Sequence, residues 1–179
     1  MKPKELERLI WQADPRNRLT LFIENLPTSG SSFPDKHFWR MLGEINTQGE
    51  GTWNVRGIYA ILFKANRSDR HHVMTIDERK ALAKLPEVIT VHRGFALRNR
   101  KGLSWTLGRA KAEWFARRQA LFLSKKKGVR ARVVSGVCSR ADVIAYFTGR
   151  KEEEILVDPA MVTNQKISML TAEGVVAEP

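Results

Sequence analysis

Residues 85–95 read LPEVITVHRGF, and the fold class turns on them. Pro86 disfavours helical geometry at the residue before it, so any helix arriving from the N-terminal side must stop here. Val88, Ile89, Thr90 and Val91 are all β-branched, the composition of a strand. Apolar spacing before this point is mostly helical, and after it mostly strand-like. A helical first half followed by a strand-rich second half predicts an α+β fold.

Moving outward toward the N-terminus, Thr75-Ile-Asp-Glu78 matches a capping box, which predicts a helix through Leu82. Within 55–65, Ile58, Ile61, Leu62 and Ala65 favour helix over strand. Residues 66–74 are polar and read as exposed, and 46–54 read as a loop. Phe38, Met41, Leu42 and Ile45 form a helical stripe that either Ser32 or Asp35 is placed to start. Residues 19–23 are a short apolar run of either type. Leu6, Leu9, Ile10 and Ala13 give a helix over 5–13.

Toward the C-terminus, 103–106 reads as a short strand. Thr106 is placed to cap a helix over 107–122, with Leu107, Ala110, Trp114 and Leu121 as its stripe, a Glu113–Arg117 pair one turn apart, and Gly128 closing it. Three further strands are expected at 132–137, 143–147 and 155–157. The chain shows no internal repeat. The expected organisation is one domain, with a helical N-terminal part (1–85), a strand-rich catalytic core (86–160) and a C-terminal segment (161–179).

The 179 residues suit one domain, and 42% apolar content with five tryptophans argues against disorder. Cys138 stands alone, which rules out an internal disulfide framework and fits a reducing compartment. The opening MKPKELERLIWQAD lacks a secretory apolar region, and no apolar run approaches the about 18 residues of a membrane span. A cytoplasmic protein without membrane contact is expected. The net charge of +12 is concentrated: residues 93–132 hold 13 basic residues and one acid, Glu113, while the rest balances at 18 against 18. Such a stretch attracts phosphates, whether of a nucleotide, a nucleic acid or an acidic protein partner.

Three pieces of the strand-rich half stand out. They are Arg93-Gly94 at the end of a β run, Ser104-Trp105-Thr106 before a helix, and Glu152-Glu153-Glu154 leading into Ile155-Leu156-Val157. Singly, each has an ordinary structural explanation: a surface arginine, a turn with cap residues, a charged strand entry. In this order and spacing they resemble the ADP-ribosyltransferase family of the arginine–serine–glutamate type. That family shows an aromatic residue and Arg on its first core strand, Ser-x-Ser/Thr on a following strand, and Glu-x-Glu before an apolar strand. The resemblance covers about residues 85–159 and is nearest to members from phages and bacteria. Two positions depart from the pattern: His92 stands where Tyr or Phe is common, and Trp105 fills a place usually held by a small residue.

The resemblance implies an ADP-ribosyltransferase-like core with a mixed, split β-sheet. It implies NAD as substrate and a macromolecular acceptor, acidic or nucleic-acid-associated, with protein arginine as the modified group. It assigns Glu154 as catalytic, Glu152 to the acceptor, Arg93 to the cofactor phosphate and Gly94 to close approach of the nicotinamide amide. Ser104 would hold the ribose side or position Glu154, Thr106 would brace the motif, and Phe115 is a candidate lining residue. Side-chain alternation agrees that Glu152 and Glu154 share a face that Glu153 does not. A carboxylate there suits an oxocarbenium-like transition state.

Rival readings are NAD glycohydrolysis, a nucleic-acid-binding module using Trp105 and Trp114, and a catalytically dead scaffold. No metal site is expected: His71-His72 is read as a pair without a third ligand. Cys138 is read as a buried thiol, and no Gly-rich phosphate loop follows a strand.

Overall fold

The computed structural model describes residues 2–26, 33–48, 56–97, 99–123, 129–149 and 153–170. Within them the helices are α1 (Pro3–Gln12), α2 (Arg18–Glu24), α3 (Asp35–Gln48), α4 (Arg56–Phe63), α5 (Ile76–Lys84) and α6 (Arg109–Phe122). The strands are β1 (Val88–Phe95), β2 (Ser104–Thr106), β3 (Arg132–Ser139), β4 (Val143–Phe147), β5 (Glu154–Val157) and β6 (Thr163–Met169). The chain is therefore α+β, and it falls into two compact units, Met1–Arg79 and Lys80–Pro179. The division comes before Pro86, inside α5.

In the first unit, α3 buries Phe38, Trp39, Met41, Leu42 and Ile45. Phe22 from α2 meets Phe33 and Phe38, with ring centroids at 6.5 and 5.6 Å. The ambiguous run at 19–23 is thus helix, and its apolar residues serve this cluster. A short 3-10 turn, Arg70–Val73, lies against α3 so closely that a Cβ on Gly43 would fall 2.1 Å from the Val73 carbonyl oxygen. Trp39 Nε1 donates to the Ser68 carbonyl at 2.6 Å, and Asp35 accepts from Arg67 and from the Ser68 N–H and hydroxyl. The capping box forms: Glu78 accepts from the Thr75 N–H at 2.8 Å, and Thr75 Oγ1 accepts from the Glu78 N–H at 3.2 Å.

The second unit is built on one six-stranded sheet in the order β4-β5-β2-β1-β3-β6. All five pairings are antiparallel, and the strands form a single sheet. This corrects the expectation of a mixed, split sheet. The helical crossover joins β2 to β3, which run the same way, but β1 lies between them. No two neighbouring strands are therefore parallel. β6 carries the sheet beyond residue 160, into what reads in sequence as a C-terminal segment.

Helix α6 corrects a second expectation. Its buried residues are Lys111, Ala112 and Ala116, whereas Leu121 is 65% exposed. The reason is proximity. A Cβ on Gly94 would lie 1.9 Å from the Ala112 carbonyl oxygen, so at this point of β1 the helix backbone leaves no room for a side chain. Thr106 does not cap this helix. It ends β2, its hydroxyl accepts from the Gly108 N–H at 3.2 Å, and Gly108 takes the N-cap position.

Candidate functional site

Register brings one residue from each of the three sequence pieces into one row. His92 on β1 pairs with Thr106 on β2, and Thr106 pairs with Glu154 on β5. The row continues through Ser135 on β3 to Lys166 on β6 in one direction, and ends at Phe147 on β4 in the other. Residues paired across a sheet share a face, with Cβ atoms about 4.5–5.5 Å apart. Lys166, Ser135, His92, Thr106 and Glu154 therefore form a polar line across five adjacent strands. Ser104, two residues before Thr106, belongs to the same face.

His92 is the best-defined member. Its Nδ1 lies 2.7 Å from Ser135 Oγ. Burial, and after it the positive charge of Arg109, hold its imidazole below the ordinary histidine pKa, while Glu113 acts the other way. Arg109 and Glu113 are themselves paired at 3.0 Å on the first turns of α6. The start of this helix thus shapes the electrostatics of the row. Glu154 is half-buried and Thr106 buried, so the glutamate run does not dissolve wholly into a solvated turn. Glu153, just before it, is exposed and holds a left-handed backbone with φ 44°, its carbonyl accepting from the Leu107 N–H at 3.3 Å. That kink sets where β5 begins.

Arg93 is not part of the row. Alternation turns it to the other face of β1, where its Nε donates to the Asn99 carbonyl at 3.2 Å and its Nη1 to the Ser104 carbonyl. Gly102 makes room for it: a Cβ there would lie 2.3 Å from Nη2. The guanidinium ties down the β1–β2 connection. Gly94 is on the side of the row, but the space its missing side chain leaves is taken by the backbone of α6 rather than left open to a ligand. Trp105, a candidate nucleic-acid-binding aromatic by sequence, is 2% exposed and donates to the Gly102 carbonyl, which removes that role. It alternates away from Ser104 and Thr106. Phe115 is half-buried and meets Trp114 edge-on at 4.9 Å. Glu152 lies outside the described residues.

Ser135 and Lys166 escape a sequence reading. Ser135 inside the largely apolar β3 is a faint signal, and β6 shows apolar alternation only at its end, Ile167 and Met169, both exposed. Asn99 is also missed: it is buried, its Oδ1 accepts from the Ala96 N–H at 3.1 Å, and its Nδ2 donates to Gln119 at 2.6 Å.

The basic stretch shows order on α6. The Arg118 guanidinium lies over the Trp114 ring at 5.1 Å and over the Phe122 ring at 5.8 Å. Trp114, Arg118 and Phe122 are four residues apart, so they make an aromatic–cation–aromatic ladder along one helix face. Phe122 is 76% exposed. No helix among the described residues is long and apolar enough to cross a membrane. Comparison of the chain with models of protein families, with curated proteins and with solved structures finds no match.

Proposed function

We propose that the protein transfers ADP-ribose from NAD to a macromolecular acceptor with release of nicotinamide. What supports this is the single row that His92, Thr106 and Glu154 form across adjacent strands, with Ser104 on the same face. The three sequence pieces that resemble the family lie 11 residues apart (Arg93, Ser104) and then 50 apart (Ser104, Glu154), yet they fall on the neighbouring strands β1, β2 and β5.

In this reading the bond between ribose C1′ and the nicotinamide nitrogen breaks, and nicotinamide leaves with the electron pair. An acceptor nucleophile bonds to C1′ and gives its proton to solvent or a nearby base. The Glu154 carboxylate accepts a hydrogen bond from a ribose hydroxyl and stabilises the developing positive charge. Ser104 and Thr106 line the same face. Arg93 enters as a positioning residue that fixes the loop before Ser104. With water as acceptor, the same chemistry is NAD glycohydrolysis.

A second reading is favoured by the ladder on α6. An exposed Phe122 and a half-buried Trp114 interleaved with Arg118 are groups that stack on bases and attract phosphates, so a nucleic-acid-binding module is the alternative. Nicotinamide release by Glu154→Gln decides between them. If the transfer reading holds, release falls by about 10²–10³-fold, the worth of such an electrostatic group. A folded Glu154→Gln protein with full activity would refute it. So would a wild-type protein that binds single-stranded oligonucleotides but never cleaves NAD.

A further inference from the structure

Away from the sheet, in the first unit, a short turn gathers three metal-ligating side chains. Asp69, His71 and His72 each offer one ligand atom, and these atoms lie within 4.8 Å of one another. The two imidazole rings have centroids 4.2 Å apart, tilted by 39°. The pair is therefore not without a third ligand, contrary to the sequence reading. What brings Asp69 in is its left-handed backbone, φ 58°, a conformation that few non-glycine residues adopt and that recurs at ligand-binding turns.

The turn is held from both sides. The His72 N–H donates to the Asp69 carbonyl at 2.9 Å and the Met74 N–H to the His71 carbonyl at 3.3 Å. Before it, Ser68 is fixed by Asp35 and Trp39, and after it Val73 is buried against Gly43 on α3. The side chains project from an anchored frame, with Asp69 and His71 exposed and His72 half-buried.

We propose that Asp69, His71 and His72 form a binding site for a divalent transition-metal ion of borderline softness, such as zinc, nickel or cobalt. Two imidazoles and one carboxylate are the donor set those ions take, at bond lengths of about 2.0–2.2 Å. Around one ion the donors would stand about 3–3.5 Å apart, so side-chain rotation must close roughly 1 Å from the present arrangement. Three protein ligands leave at least one position for water or an outside group. Lys36 and Arg79 lie near enough to act on His72 and work against a bound cation. With Asp69 and His71 exposed, the site is an open surface one, not a buried structural centre. It is independent of the NAD reading, which involves only the other unit.

The test is calorimetric titration of the untagged full chain with zinc chloride and with nickel chloride. The expected result is saturable one-to-one binding, with a melting temperature that rises with metal concentration because only the folded turn assembles the ligands. His71→Ala and His72→Ala should each weaken binding by more than about tenfold, since even the outer partners of metal ligands are worth about 10–100-fold. Asp69→Asn should weaken it as well. His37→Ala and Cys138→Ser should bind as the parent does. Cobalt gives a second readout, a ligand-field absorption lost in the same variants. If an alanine variant fails to fold, His71→Gln and His72→Gln replace it. Absence of saturable binding overturns the proposal, and so does unchanged affinity in a folded His71→Ala/His72→Ala double variant.

Discussion

Gly94→Ala is the sharpest perturbation of the candidate site. The added Cβ would lie 1.9 Å from the Ala112 carbonyl oxygen, 2.7 Å from the Ala116 nitrogen and 2.9 Å from the Ala112 carbonyl carbon. All three are backbone atoms of α6, so no rotamer change relieves the contact. The helix would have to retreat by more than about 1 Å, uncovering Ala112, Ala116 and Val133, which are fully buried together. Overpacking that side chains absorb costs about 1–3 kcal/mol, and a backbone clash belongs at the upper end, about 3 kcal/mol. For a unit of this size that is a fall in midpoint of roughly 12–24 °C. Thermal unfolding followed by circular dichroism, with hydrogen exchange at the Ile89 and Val91 amides, reads the sheet separately from the helical unit. Gly149→Ala is the control: nothing lies within 4 Å of its Cβ, so it should stay within about 0.5 kcal/mol of the parent. A Gly94→Ala protein as stable as the parent, with β1 fully protected, refutes the packing argument. If that protein also failed to cleave NAD, Gly94 would belong to the ligand instead.

Arg93→Lys should destabilise the sheet unit by about 1.5–3 kcal/mol and speed exchange at Ala96, because a lysine cannot reach both the Asn99 and Ser104 carbonyls; unchanged exchange there would count against a positioning role. His92 has a folded pKa below the ordinary 6.5, so the unfolded chain takes up the proton first. Stability of the sheet unit should therefore be full above about pH 6.5 and fall as pH drops through the window below it, and His92→Gln should flatten that slope; an equal slope in both proteins refutes the assignment. Burial, and after it Asp142, push the Cys138 thiol up. Iodoacetamide at pH 8 should label the native protein far more slowly than the unfolded one, and equal rates would show that the thiol is open to solvent.

Apart from α2, whose short apolar run at 19–23 fits either type, the helices were legible because their apolar residues recur at 3.6 spacing and their ends carry chemical marks, as Thr75 and Glu78 do. Strands β1, β3, β4 and β5 were legible as β-branched or apolar runs. β6 was not: TNQKISM is largely exposed along its length, so no burial pattern marks it, and its pairing with β3 alone makes it a strand. α6 was seen as a helix but with the wrong face inward, because spacing cannot report how near the sheet lies. Two alanines under a glycine carry less hydrophobic signal than Leu121, yet they make the contact.

For the candidate site, sequence alone supplied the residue types and their order along the chain. It could not supply faces. Whether Arg93 or His92 stands beside Thr106 and Glu154 is a matter of one residue of register, and register is fixed by pairing between strands far apart in sequence. That pairing puts His92 in the row and sends Arg93 to the loop carbonyls behind it. In the same way the pair His71-His72 is visible in sequence, while the third ligand depends on the left-handed turn at Asp69. Local pattern is written in neighbouring residues, but the juxtaposition of distant ones exists only once the chain has closed on itself.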